Sequence, residues 1–240
     1  MTEETDFPPL LGDRYAFHDW PWLVPPDVPE VVGFLRANGR PRSFAAHTVF
    51  PFGAHDKVWL ITSGLLATCV GGFAEFDRMA CLWSENAVLG GIRAVIRGGR
   101  SMNLAARMLS DVETVEVEGE VFRGFLEADP RLTNRVLTNY LLKNTAQMEG
   151  TLVNDLMPVK VRLAIVLCVL ARAAGLDRHA DSVKLPWPVT VQEFSLLIHS
   201  DRTVVGRILR DWEKSGAVVR EGRFLRLDRT LREEIPGHGL

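Results

Sequence analysis

Cysteine is scarce in this chain. The three present, Cys69, Cys81 and Cys168, are far apart and odd in number, and no Cys-x-x-Cys pair occurs. A disulfide framework is therefore not expected. Long apolar runs are also missing. No window holds eighteen uninterrupted apolar residues, so no membrane span is expected. The opening stretch MTEETDFPPL is acidic and lacks the basic-then-apolar form of a signal peptide, which makes the cytoplasm the expected compartment. There is no excess of positive charge. A net charge of −2 argues against indiscriminate binding to nucleic acid, so any such contact must come from a local basic face. Catalytic signatures are absent too. No Walker loop, nucleophile elbow or His-Glu-x-x-His pattern is found, and His18, His47, His55, His179, His199 and His238 are scattered. An enzyme is not expected.

What is present is clearest from Thr190 to Asp228. Thr190 can cap a helix, and Glu193 three residues on completes a capping box. Phe194, Leu197 and Ile198 give that helix an apolar stripe at helical spacing. His199-Ser200 turns, Ser200 or Asp201 caps, and a second helix is predicted over Arg202 to Ser215, ended by Gly216. Val204, Ile208, Leu209 and Trp212 are expected inward. Ala217 to Val219 and Arg223 to Leu227 then alternate like strands around a Glu221-Gly222 turn. Helix, turn, helix, hairpin reads as a winged helix-turn-helix. From Arg202 to Arg226 there are seven basic and three acidic residues, which supplies the local basic face. Thr203 and Arg207 are four apart and share one side of the helix. Arg202, Thr203, Gly206 and Arg207 are the candidates to face base edges. Lys214, Arg220 and Arg223 are the candidates for phosphates.

The string DRTVVGRILRDWEKSGAV resembles the recognition helix and following turn of the Crp/Fnr transcription regulators. The likeness is tight over about forty residues and looser over most of the chain. It implies an α+β chain with an N-terminal double-stranded, jelly-roll-like β-roll sensor (1–130), a long dimerisation helix (131–157) and a C-terminal winged helix-turn-helix (158–240). It also implies a homodimer, a palindromic double-stranded operator, RNA polymerase as a partner, and a small-molecule effector in the roll.

The rest of the chain is read beside that frame. Residues 1 to about 30 are rich in proline and aromatics and form an arm, with Trp20 and Trp22 expected to pack on the next domain. Pro29 to Asn38 reads as a short helix ended by Gly39. Phe44 to Glu118 reads as many short strands separated by Gly-rich turns, the pattern of a β-barrel or roll. Pro130 opens a long helix in which Leu137, Leu141, Thr145, Met148 and Leu152 recur at steps of four, four, three and four, a coiled-coil-like seam. Gly150 is a weak point in it, and Met157-Pro158 ends or bends it. Leu176 to Pro188 reads as a linker.

For the sensor, cyclic-AMP-binding relatives have Gly-Glu at the start of the phosphate cassette and Arg-Ser or Arg-Thr at its end. Here the start falls on Gly90 and Gly91, without the glutamate, and the end on Arg100-Ser101, with Arg93 and Arg97 nearby. Cyclic AMP is thus not the expected effector. An anion or a largely apolar molecule beside Trp59 or Trp83 is. The N-terminal cysteine cluster of iron–sulfur members is missing, so no such cluster is expected. Haem, held by one of Cys69 or Cys81 with His47 or His55, is the alternative cofactor. The contrasting functional class is an effector- or haem-binding sensor module that does not act through DNA.

Overall fold

The computed structural model describes residues 20–52, 56–71, 78–91, 104–176 and 180–235. Among them, two four-stranded antiparallel sheets form the N-terminal half. One contains β1 (Arg40–Phe44), β8 (Val112–Glu118), β3 (Lys57–Ser63) and β6 (Val88–Leu89), in the order β1-β8-β3-β6. The other contains β2 (Val49–Phe50), β7 (Leu104–Met108), β4 (Leu66–Val70) and β5 (Arg78–Trp83), in the order β2-β7-β4-β5. The two-residue period of a strand sorts β3 between two cores. Trp59 and Ile61 point into the roll with Leu66, Leu89 and Met108, while Val58 and Leu60 point out. That outer face is covered by α1 (Pro29–Asn38) and α2 (Gly119–Glu127) through Val31, Leu35, Phe122 and Leu126.

The arm packs as its aromatics predict. Trp22 is 1 % exposed, and its backbone N–H donates to the Ala146 carbonyl at 3.0 Å. The Trp20 ring lies under the Arg172 guanidinium, 3.5 Å from its centroid. The strap is bonded to the second sheet by Leu82 N–H to Trp22 O (2.7 Å) and Val24 N–H to Leu82 O (2.9 Å).

Helix α3 (Pro130–Leu156) starts on the Asp129 side chain, which accepts from the Arg131 and Leu132 amides, with Pro130 at the first position. It ends at Met157-Pro158, and α4 (Val159–Ala173) follows, buried along Leu163, Val166, Leu167 and Leu170. Next come α5 (Val191–Leu197), α6 (Arg202–Ser215), β10 (Val218–Glu221), β11 (Phe224–Asp228) and a closing 3-10 turn, Arg229–Glu234.

Four expectations are corrected. Strand β1 lies N-terminal to the predicted β region. Its exposed Arg-Pro-Arg-Ser run shows no apolar alternation because β1 is a sheet edge, the place where Pro41 is tolerated. The predicted linker contains β9 (Ser182–Lys184), which pairs antiparallel with β11 and makes the wing three-stranded. Three residues are too few for a period to show. The wing turn is Gly222-Arg223, since Glu221 pairs with Phe224, and Gly222 takes the left-handed φ of 63° that a two-residue hairpin loop requires. In α6 the buried residues are Val205, Leu209 and Trp212, at steps of four and three, so Val205 replaces Val204 as the inward residue.

Candidate nucleic-acid interface

The helix-turn-helix is set by local chemistry at three points. Thr190 Oγ accepts from the Glu193 amide (3.2 Å), and Glu193 Oε2 accepts from the Thr190 amide (2.7 Å), the reciprocal pair that fixes the start of α5. His199 takes a φ of 48° in the turn, and the Ser200 amide returns to Ser195 O. Asp201 then caps α6 by accepting from the Thr203 amide at 2.6 Å. Val205, Leu209 and Trp212 hold α6 down, each such burial being worth about 1.5–3 kcal/mol. Trp212 Nε1 donates to Glu234 Oε1 (3.1 Å).

With that face buried, Arg202, Thr203, Arg207 and Arg210 stand exposed on the other. Among the described residues, Arg202 and Arg207 have no carboxylate partner, whereas the remaining candidates divide. Lys214 sits 3.7 Å from Asp211, and Arg220 is bonded to Glu213 at 2.9 Å. Arg223, at the wing tip, lies over the Phe224 ring. Gly206 is half-covered where α6 crosses the start of α5, and a Cβ there would touch Val191 at an ordinary 3.8 Å. The sequence places Arg210 toward solvent but not among the candidate contacts. Its position three residues after Arg207 and seven after Thr203 is the signal that puts it on the same face.

In the roll, Gly90 has a φ of 83° and backs onto the Trp59 ring, while the Tyr140 hydroxyl of α3 occupies the space a side chain at Gly91 would need. Arg93, Arg97, Arg100 and Ser101 lie outside the described residues. Trp59 lines a small apolar cavity inside the roll with Phe44, Phe50, Ile61, Leu89 and Met108. Trp83 packs against the same interior cluster, its Nε1 donating to Thr68 Oγ1 (2.6 Å) and its ring lying 5.5 Å from Lys143 Nζ of α3. Burial pushes both sensor thiols up, Cys81 to about 11. His47 Nδ1 is 3.1 Å from Glu193 Oε1, and His55 lies outside the described residues. Among the described residues no three His, Cys, Asp or Glu side chains converge as a metal site.

The seam on α3 faces out. Leu137, Leu141, Thr145, Met148 and Leu152 are all exposed, Leu141 to 67 % and Met148 to 57 %, and Leu142 and Leu156 extend the apolar surface.

No protein-family profile matches the chain, and no curated protein matches it in sequence. Solved structures do match. FixK2 from Bradyrhizobium japonicum superposes with a TM-score of 0.67 at 15 % identity, covering 82 % of this chain and 97 % of that one. CLP of Xanthomonas campestris, described as a c-di-GMP responsive global regulator, gives 0.65 at 17 %, covering 84 % and 99 %. A CRP/FNR-family transcriptional regulator from Thermus thermophilus gives 0.63 at 16 %, covering 82 % and 97 %. The fold is that of the Crp/Fnr regulators.

Within this Crp/Fnr fold the roll and the helix-turn-helix share one core. Ala67, Cys69, Met79 and Leu82 of the second sheet cluster with Phe194, Leu197 and Ile198 of α5 and its C-cap. Both ends of α5 are tied to the roll. Glu193 meets His47 in the turn between β1 and β2, and the His199 ring bonds to the Met79 backbone of β5. Arg162 of α4 closes the joint, donating to Met157 O (2.6 Å) and Ile198 O (3.2 Å). Among the described residues, no helix is long and apolar enough to cross a membrane.

Proposed function

We propose that this chain is a homodimeric, ligand-responsive transcription regulator that reads double-stranded DNA with α6. The observation that carries the reading is the pair Arg202 and Arg207, exposed beside Thr203 and free of carboxylate partners among the described residues, on a helix whose other face is buried. An arginine can pair bidentately with guanine O6 and N7, and an unengaged one has no ion pair to break first. Arg223 is the phosphate contact of the wing. Lys214 and Arg220 reach phosphate only by leaving Asp211 and Glu213, so they contribute less.

The effector is an anion or a small apolar molecule rather than a cyclic nucleotide. Tyr140 fills the space over Gly91, and the interior of the roll is lined by aromatic and aliphatic side chains. RNA polymerase is the protein partner proposed for such a regulator.

Selection from a random duplex library, followed by gel shift at fixed salt, tests the proposal. Arg207→Ala should cost about 1–3 kcal/mol and relax preference at one base position. Arg223→Ala should weaken all sequences alike and reduce the salt slope by about one unit. An Arg207→Ala protein that binds every duplex as the parent does would overturn the recognition-helix assignment. A parent that retards no duplex would leave a sensor acting without DNA.

A further inference from the structure

Helix α3 buries polar side chains while leaving apolar ones exposed. The side toward its own chain carries Asn139, Lys143, Glu149 and Asn154 among the apolar Leu132, Val136, Ala146 and Val153, all buried. The side toward solvent carries Leu137, Leu141, Leu142, Met148, Leu152 and Leu156. At these particular positions the placement runs against transfer from water, because apolar burial stabilises and polar burial costs unless every group is bonded.

The nitrogens of Asn139, Lys143 and Asn154 have partners in other parts of the chain, while Asn139 Oδ1 and Asn154 Oδ1 have none among the described residues. Asn139 Nδ2 donates to Pro26 O at 2.8 Å. Lys143 Nζ pairs with the Asp27 carboxylate, donates to Val88 O (3.3 Å), and lies over the Tyr140 ring at 4.8 Å. Asp27 Oδ2 also accepts from the Val88 amide (2.6 Å), so both backbone groups of that β6 residue are taken. Asn154 Nδ2 donates to Leu197 O at 3.0 Å. The partners come from the strap, β6 and α5, spread over roughly 22 Å of helix axis. Rolling α3 by one residue breaks all of them together. As glue the arrangement is poor. Loss of hydration is the leading influence on both members of the ion pair, raising the Asp27 pKa and lowering that of Lys143. Buried pairs of this kind are commonly no better for stability than apolar replacements.

We propose that Asp27, Asn139, Lys143 and Asn154 fix the rotation of α3 about its own axis, keeping the leucine stripe free for the same stripe of a second copy of the chain. The inference rests on the homodimer reading above. The occupant is a second copy because Leu141, Thr145, Met148 and Leu152 within the stripe step by four, three and four, a coiled-coil spacing that pairs with itself across a two-fold axis.

The test is the double substitution Asp27→Asn with Lys143→Met in the full chain. It removes both charges, keeps an acceptor for the Val88 amide and roughly conserves volume. The expected result is a single cooperative urea transition together with a dimer dissociation constant at least tenfold weaker by sedimentation equilibrium. A folded variant with a dimer constant within twofold of the parent overturns the inference. Should the double variant not fold, Asn139→Leu decides by the same two readings, since it strands no charge. Failure of both to fold would make these groups essential to the fold rather than to the facing, and also overturns the inference. A monomeric parent would instead overturn the homodimer reading, and this inference with it.

Discussion

Gly150 lies inside α3, two turns before its end, where glycine costs about 1 kcal/mol relative to alanine. Its reason is the strap. A Cβ at this position would overlap the Trp22 indole, which rests directly on the helix backbone. Gly124 in α2 provides the contrast, being exposed with nothing within 4 Å of its would-be Cβ. The two sites should therefore respond oppositely to alanine. Gly124→Ala should gain about 0.5–1 kcal/mol from propensity. Gly150→Ala sets that gain against an overpacking cost of about 1–3 kcal/mol, and a net loss is expected because Trp22 is a rigid, fully enclosed ring. Urea midpoints of the two variants check this, and a stabilised Gly150→Ala would show that the strap can move aside.

At the scale of the element, the exposed row on α3 is the feature with the largest consequence. If Leu137, Leu141, Met148 and Leu152 meet their own copies across a two-fold axis, a charge placed among them is introduced twice and buried without a partner. Such a charge costs several kcal/mol per interface. Leu141→Glu should thus give a folded monomer that loses specific operator binding, read by sedimentation and gel shift. A variant that remains dimeric would move the interface to another surface. The repeat itself was legible in the sequence, because its spacing needs only a helix. That this repeat would be the outer face, with lysine and asparagine turned inward, was not legible. Nothing local distinguishes the Leu141 side from the Lys143 side until Asp27 and Pro26 arrive from more than a hundred residues away.

Across the whole molecule, the joint between roll and helix-turn-helix carries a titratable group. His199 sits in the turn between α5 and α6. Burial holds its imidazole below the usual value of 6.5, with Arg78 and Arg162 adding repulsion and the Met79 backbone bond opposing both. A histidine with a depressed folded-state pKa is protonated first in the unfolded chain. Its neutral burial is fully compatible with folding above about pH 6.5, and stability falls as pH drops below that value toward the folded pKa. The unfolding midpoint should therefore fall more between pH 7.5 and 5.5 in the parent than in His199→Gln. Equal pH dependence in the two proteins would mean that the ring is not confined at the joint.

The sequence by itself determined those parts whose cause is local. The capping box of Thr190 and Glu193, the Asp201 cap, the Pro130 start of α3 and the Gly216 stop each need only neighbouring backbone, so they were readable from residue order. The exposed position of Arg202, Thr203 and Arg207 follows from the same helix period. Tertiary structure decided what depends on contacts between distant segments. It gave β9 a partner strand, seated Trp22 on Gly150, placed the Tyr140 hydroxyl over Gly91, and paired Arg220 of β10 with Glu213 of α6. It also joined the β4–β5 face to α5 in one core, because an apolar strand face specifies that it will be covered and not what covers it.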